Sequence, residues 1–201
     1  MLSVAAVHST ADLLVQALID ISKHPELVAP TRQEIIAVQG QHAWTKAGFR
    51  NLKLMDSVLK ESQRLKSIAN DGTLLPKGQT LCVSAHSMKD PINYDDPGQF
   101  EGYRFLKRAE NPTIVKTSSY VSPSPQHFGF GFGRLACPGI EAKTMLSYIL
   151  LRYDFRLEEG NNTHMHPSGV TKNVDHSIRL QIRRGTGCAV GSSTFSWTAT
   201  V

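Results

Sequence analysis

Between residues 9 and 23 the apolar positions Leu13, Leu14, Ala17, Leu18 and Ile21 recur at the spacing of one helical face. His24-Pro25 ends that pattern, because a proline ring disfavours helical geometry in the residue before it. A second helix is predicted after Pro30, with Ile35, Ile36 and Val38 partly buried. A third is predicted over about 51–65, where Leu52, Leu54, Met55, Val58, Leu59 and Leu65 repeat at helical intervals. The texture then changes. Residues 67–88 set short apolar stretches around Asn70-Asp71-Gly72 and Pro76-Lys77-Gly78, which predicts a hairpin of strands. From 90 to 129 prolines and glycines are frequent and periodicity is weak. Irregular stretches of that length in a compact domain usually serve function or wrap around something. A fourth helix is predicted over about 138–152, with strands near 153–158 and 177–183. The pattern is mainly α with small β-sheets, an α+β domain over 1–184 with no internal repeat. Residues 185–201, rich in Gly, Ser and Thr and uncharged, are expected to form a disordered tail.

A chain of 201 residues can bury a real core, and 40% hydrophobic with 19% charged residues is ordinary for a globular protein. The net charge of +5 is spread along the chain, without a basic tract or interleaved aromatics, so nucleic acid is not an expected partner. The basic surface reads first as a solvated face and second as a face for an acidic protein. Cys82, Cys137 and Cys188 have no pairing spacing, which argues against a disulfide framework and for a reducing compartment. No apolar run approaches the ~20 residues that span a bilayer. The stretch Met1–Val7 lacks the basic start of a signal peptide, so a chain without membrane anchor is expected.

The densest chemistry is Phe128-Gly129-Phe130-Gly131-Phe132-Gly133-Arg134-Leu135-Ala136-Cys137-Pro138-Gly139, running into the fourth helix. Glycines at 129, 131 and 133 let the backbone take positive φ and approach a flat ligand closely. Cys137 falls at the mouth of the helix, where Pro138 suits the first position. The positive end of the helix dipole there lowers a thiol pKa and favours the thiolate. A single thiolate is one known way to hold haem iron. Zinc or an iron–sulfur cluster needs several ligands, and no second cysteine lies near. A dinucleotide loop needs a third glycine where Arg134 stands. A nucleophilic cysteine paired with His86 or His127, or a buried structural cysteine, stays open on the residues alone.

The stretch from Phe130 to Gly139 resembles the haem-binding loop of cytochromes P-450, with Phe130, Gly133, Cys137 and Gly139 at the matching positions and Arg134 beside them. The wording Ala136-Cys137-Pro138-Gly139 resembles the fungal secondary-metabolism branch. Where the family usually carries Arg or His to contact a haem propionate, this chain has Leu135, and Arg134 or His127 would have to substitute. Glu61-Ser62-Gln63-Arg64 resembles the family's Glu-x-x-Arg helix, and Arg104 in Phe100–Phe105 the arginine that completes a Glu–Arg–Arg cluster. Without that order, Glu61 and Arg64 would read as a surface pair of under ~1 kcal/mol. Ala5–Thr10 resembles the oxygen-activating stretch of the long distal helix, which makes Ser9 and Thr10 candidates for proton delivery. The competing reading is that Ser9 and Asp12 form a capping box.

The resemblance runs over about residues 4–184 and implies the C-terminal half of the fold, beginning inside the distal helix. It further implies haem with an axial thiolate, an NADPH-cytochrome P-450 reductase as electron donor, and a small apolar substrate. Family members usually sit on the endoplasmic reticulum membrane; a chain without the anchor is expected in the cytoplasm or is left unassigned. Two readings follow: a monooxygenase, or a truncated, catalytically inactive remnant of one.

Overall fold

A computed structural model describes residues 2–66, 86–112, 114–127, 129, 139–161, 166–168, 171–175 and 177–185. Six helices follow in order among them: α1 (Leu2–Lys23), α2 (Val28–His42), α3 (Lys46–Asn51), α4 (Lys53–Leu65), α5 (Arg104–Arg108) and α6 (Ile140–Arg152). Two small antiparallel sheets complete the fold. β1 (Tyr153–Leu157) pairs with β4 (Leu180–Arg184), Tyr153 opposite Arg184, and β2 (His166–Ser168) pairs with β3 (Thr171–Asn173).

The core forms where α1, α2, α4 and α6 meet. Ala17, Ile21, Ile35, Met55, Val58, Leu59, Leu146 and Leu150 are buried in one cluster. α4 is unusual among these helices because its polar residues are buried too: Asp56, Ser57, Lys60, Glu61, Ser62 and Arg64. Polar side chains in such a place must find partners inside the protein.

α2 supplies the ends of its neighbours. α4 begins at Lys53 because Leu52 leaves helical geometry at ψ 79°, and Leu52 offers no capping side chain. Glu34 reaches across from α2 and accepts the N–H groups of Leu54 at 2.7 Å and Met55 at 3.0 Å. Burial raises the Glu34 pKa while these donors oppose the rise. Two positions earlier, Arg32 donates to the carbonyls of Leu150 at 2.6 Å and Tyr153 at 2.8 Å, and to the Asp154 carboxylate at 2.7 Å. A carboxylate at a helix start and a guanidinium at a helix end both satisfy orphan backbone groups and oppose the helix dipole. α5 is capped in the same borrowed way, since Ser57 Oγ of α4 accepts from Phe105 and Leu106 N–H at 3.0 Å each.

Several expectations need correction. α2 starts at Val28, before Pro30, because a proline in the first turn loses no helical hydrogen bond. Ile36 is exposed, while Ile35 beside it is fully buried. α3 arises in a stretch with no strong periodicity, started by Thr45, whose side chain accepts from Gly48 N at 3.1 Å. α5 lies in the segment expected to be irregular, and the β2–β3 hairpin lies between the two strands expected near 153–158 and 177–183. α1 extends from Leu2 through Ser9 and Thr10, so Ser9 does not start the helix, and Asp12 pairs instead with Lys66 after α4. The hairpin expected at 67–88 falls mostly on 67–85, and the tail on 186–201, both outside the described residues.

Where α1 meets α4, Asp20 is buried and accepts from Gln16 Nε2 at 2.9 Å. Burial raises its pKa against the pull of Ser62, Gln16, Lys23 and His24. With the folded pKa above the unfolded one, the stabilising contribution is present in acid and lost as pH rises through the folded pKa. Asp20→Asn should therefore unfold at higher urea concentration than the parent at neutral pH, and the two midpoints should converge in acid. A lower midpoint at neutral pH would show that burial does not dominate there.

Candidate functional site

α4 holds Glu61 and Arg64 one turn apart, and both side chains are 0% exposed. Arg64 grips the Glu61 carboxylate with two bonds, Nε to Oε2 at 2.9 Å and Nη2 to Oε1 at 2.8 Å. Its remaining hydrogens go to the carbonyls of Met88 at 2.8 Å, Pro97 at 2.7 Å and Gln99 at 3.2 Å. A guanidinium has five N–H donors, so Arg64 is fully satisfied without water. Arg104, at the start of α5, donates Nε to Glu61 Oε1 at 3.0 Å and Nη1 to the Asp95 carbonyl at 2.6 Å. Its Nη2 reaches the Gln99 carbonyl at 3.3 Å.

The 86–103 segment is thus folded around two arginines. Asp96 takes φ +44°, a left-handed conformation uncommon outside glycine, in the turn whose flanking carbonyls feed Arg64 and Arg104. Tyr94 lies between Arg64 and Arg108, with guanidinium carbons 4.9 Å and 4.6 Å from its ring centre. Burial is the largest influence on its phenol and raises the pKa, and its hydroxyl donates to the Gln126 carbonyl at 3.1 Å.

α4 also touches the entrance of the cysteine loop. At the entrance, His127 is buried, shares a 3.0 Å hydrogen bond through Nε2 with Gln63 Oε1, and stacks edge-on with Phe105. Burial, then the charges of Lys60, Arg64 and Arg108, holds the imidazole neutral, its pKa well below the ordinary value. Gly129 follows. A Cβ there would stand 2.2 Å from Gln63 Cδ, so only glycine fits without displacing that amide. At the exit, Gly139 opens α6, and a Cβ on it would stand 2.6 Å from Tyr120 Cδ1 and 2.7 Å from Val121 Cγ1. Behind that contact, Lys143 of α6 pairs with Asp56 of α4 at 2.7 Å and donates to the Phe49 carbonyl at 2.7 Å.

Residues 1–180 match the family described as cytochrome P-450. The chain belongs to the cytochrome P-450 family. It is 46% identical over 202 residues to cytochrome P-450 monooxygenase 1 of Gibberella fujikuroi, covering 91% of this chain and 46% of that protein. It is 41% identical to the monooxygenase hepE of Aspergillus oryzae, covering 91% of this chain and 37% of that one. The chain thus spans less than half the length of these relatives. The fold aligns with the cyanobacterial CYP120A1 bound to retinoic acid at TM-score 0.59 and 21% identity, over 86% of this chain and 43% of that one.

The family and fold imply haem, and the described surroundings of the loop fit it. A Cβ at either glycine flanking the loop would meet a neighbouring side chain, and between them in the sequence stands a single cysteine, the donor set of haem-thiolate proteins. Of the residues expected at the site, the structure brings Glu61, Arg64 and Arg104 into one buried cluster and sets Gly139 at the start of α6. Ser9 and Thr10 are carried in the body of α1, where side chains are described from Thr10 onward. Phe130, Gly133, Arg134, Leu135 and Cys137 lie outside the described residues. Lys60, Gln63 and Ser57 were not anticipated. Their only signal was position, beside Glu61 and Arg64 on the polar side of the helix. Among the described residues no helix is long and apolar enough to cross a membrane.

Arg64→Lys keeps the charge but supplies three donors where five acceptors wait. We expect the substitution to cost about 1–3 kcal/mol for each of the two buried acceptors left without a donor, read as a fall in the urea midpoint. A midpoint within ~0.5 kcal/mol of the parent would show that the fork geometry is dispensable.

Proposed function

We propose that this chain is the haem-carrying portion of a fungal-type cytochrome P-450 monooxygenase that oxidises a small apolar intermediate of secondary metabolism. The observation that carries the reading is the buried Glu61–Arg64–Arg104 cluster together with the pinning of both ends of the Cys137 loop. Residues 1–184 form the P-450 part in this reading, and residues 185–201 a tail.

In this reading Cys137 would hold the haem iron through its thiolate, and Phe130, Gly133, Arg134 and Gly139 would accompany it in binding the group. When bound, haem held by a thiolate would supply reductive activation of O2 and transfer of one oxygen atom to the substrate. The overall reaction consumes two electrons and two protons, and the second oxygen atom leaves as water. Ser9 or Thr10 would hand on protons through its hydroxyl, since a hydroxyl both donates and accepts. Glu61, Arg64 and Arg104 lock the segment behind the loop and so retain the cofactor. Electrons would come from an NADPH-cytochrome P-450 reductase, and the net charge of +5 suits an acidic partner surface.

The carbon monoxide difference spectrum of the reduced chain, expressed with haem supplied, tests the assignment. A red-shifted Soret band is expected, and a flat trace would overturn the reading for this chain. Cys137→Ser should abolish that band without unfolding the protein; persistence of the band would assign the thiolate elsewhere. Arg104→Ala should yield protein that accumulates without haem, seen as a loss of haem absorbance per polypeptide. Parental haem content in that variant would sink the retention role.

A further inference from the structure

Lys60 has no part in the reading above, yet its side chain is wholly enclosed at 0% exposure. Its ammonium donates to the carbonyls of Thr117 at 2.6 Å, Ser119 at 2.9 Å and Ser122 at 2.7 Å. Three hydrogens meet three acceptors, so the group is complete as a cation. The Phe105 ring lies 5.2 Å from the nitrogen. The nearby charged groups are Asp56, which favours the ammonium, and Arg108, which disfavours it; burial is the largest influence and lowers the pKa to about 7. Asp56 is itself engaged by Lys143.

Filling this space with hydrocarbon would avoid burying a charge, which is costly where only dipoles answer it. What a hydrocarbon could not do is draw the carbonyls of Thr117, Ser119 and Ser122 to a single point. Between those carbonyls sit Tyr120 and Val121, the side chains that leave no room for a Cβ at Gly139. Gly139 is two residues beyond Cys137. A shift of this shelf therefore passes directly to the exit of the cysteine loop. We propose that Lys60 is a positioning residue for the exit of the cysteine loop, a buried peg that fixes the Tyr120–Val121 shelf and through it Gly139, two residues beyond Cys137.

The inference rests on the haem reading, and the test separates the two. Lys60→Met keeps length and bulk but removes every donor. Arg32→Ala serves as the comparison, since it removes the cap at the opposite end of α6. With haem saturating and variants matched for urea midpoint, Lys60→Met should lose the thiolate Soret band to a blue-shifted one. The thiolate share should fall roughly tenfold, the loss expected when buried charge-assisted bonds are broken, while Arg32→Ala keeps the parental ratio. A parental ratio in Lys60→Met overturns the proposal. Should that variant fail to accumulate, Lys60→Gln, with two donors left, should give an intermediate ratio, and a parental ratio there overturns it equally. If the parent itself shows no thiolate band, the haem reading falls. Amide exchange of Tyr120 and Val121 in the haem-free chain then decides for Lys60. Exchange roughly tenfold faster in Lys60→Met supports the peg, and unchanged exchange refutes it.

Discussion

A carboxylate removed from water must be surrounded by donors that cannot move away, and Glu61 is in that position. Arg64 Nε and Nη2, Arg104 Nε and the Glu101 amide all converge on its two oxygens. Arg64 donates from the core helix α4, whereas Glu101 and Arg104 belong to a part of the chain with little regular structure to hold it. The residues from 86 to 103 contain only one short 3-10 turn, and Arg64 and Arg104 gather their carbonyls into a defined path. α5 is five residues long, far too short to stand alone. It exists because Arg104 is tied to Glu61 and because Ser57 caps it from below.

The cluster is a costly way to gain stability. Two guanidiniums and one carboxylate leave an excess of positive charge in a dry interior, and hydrophobic replacements of buried ion pairs are often neutral or better. Carbonyl dipoles absorb the excess, and they do so only when the chain takes one arrangement. The geometry therefore favours specificity over strength: of the many ways an irregular segment might collapse on α4, one satisfies all five donors of Arg64. Lys60 repeats the logic on the next segment, and His127 with Gln63 repeats it at the loop entrance. One helix thus gives three irregular stretches a single fixed arrangement.

Much of this was legible in the residues, and the rest was hidden for physical reasons. Apolar spacing located α1 and α4, because a helix that buries one face must repeat at its own period. The glycines around Cys137 and the Glu61–Arg64 spacing carried the family resemblance that the family match and the relatives later showed. Periodicity could not reveal that Ser57, Lys60 and Arg64 are buried, since a polar residue on a helix is assigned to solvent until a partner is known. That partner lies 48 residues away for Ser57 and 57 for Lys60. α3 and α5 escaped for a related reason. A six-residue or five-residue helix holds too few turns to show a period.

The caps lent by α2 carry a consequence for the order in which the protein is made. Arg32 closes the end of α6 at Leu150, a separation of 118 residues, whereas Glu34 closes the start of α4 only 20 residues on. During synthesis α2 can settle against α4 early, but its other side stays unfinished until Leu150, 118 residues after Arg32, has left the ribosome. Loops of that length close slowly. Until then the guanidinium of Arg32 faces water, and the apolar surface meant for Leu146 and Leu150 stays bare, a natural landing place for a chaperone.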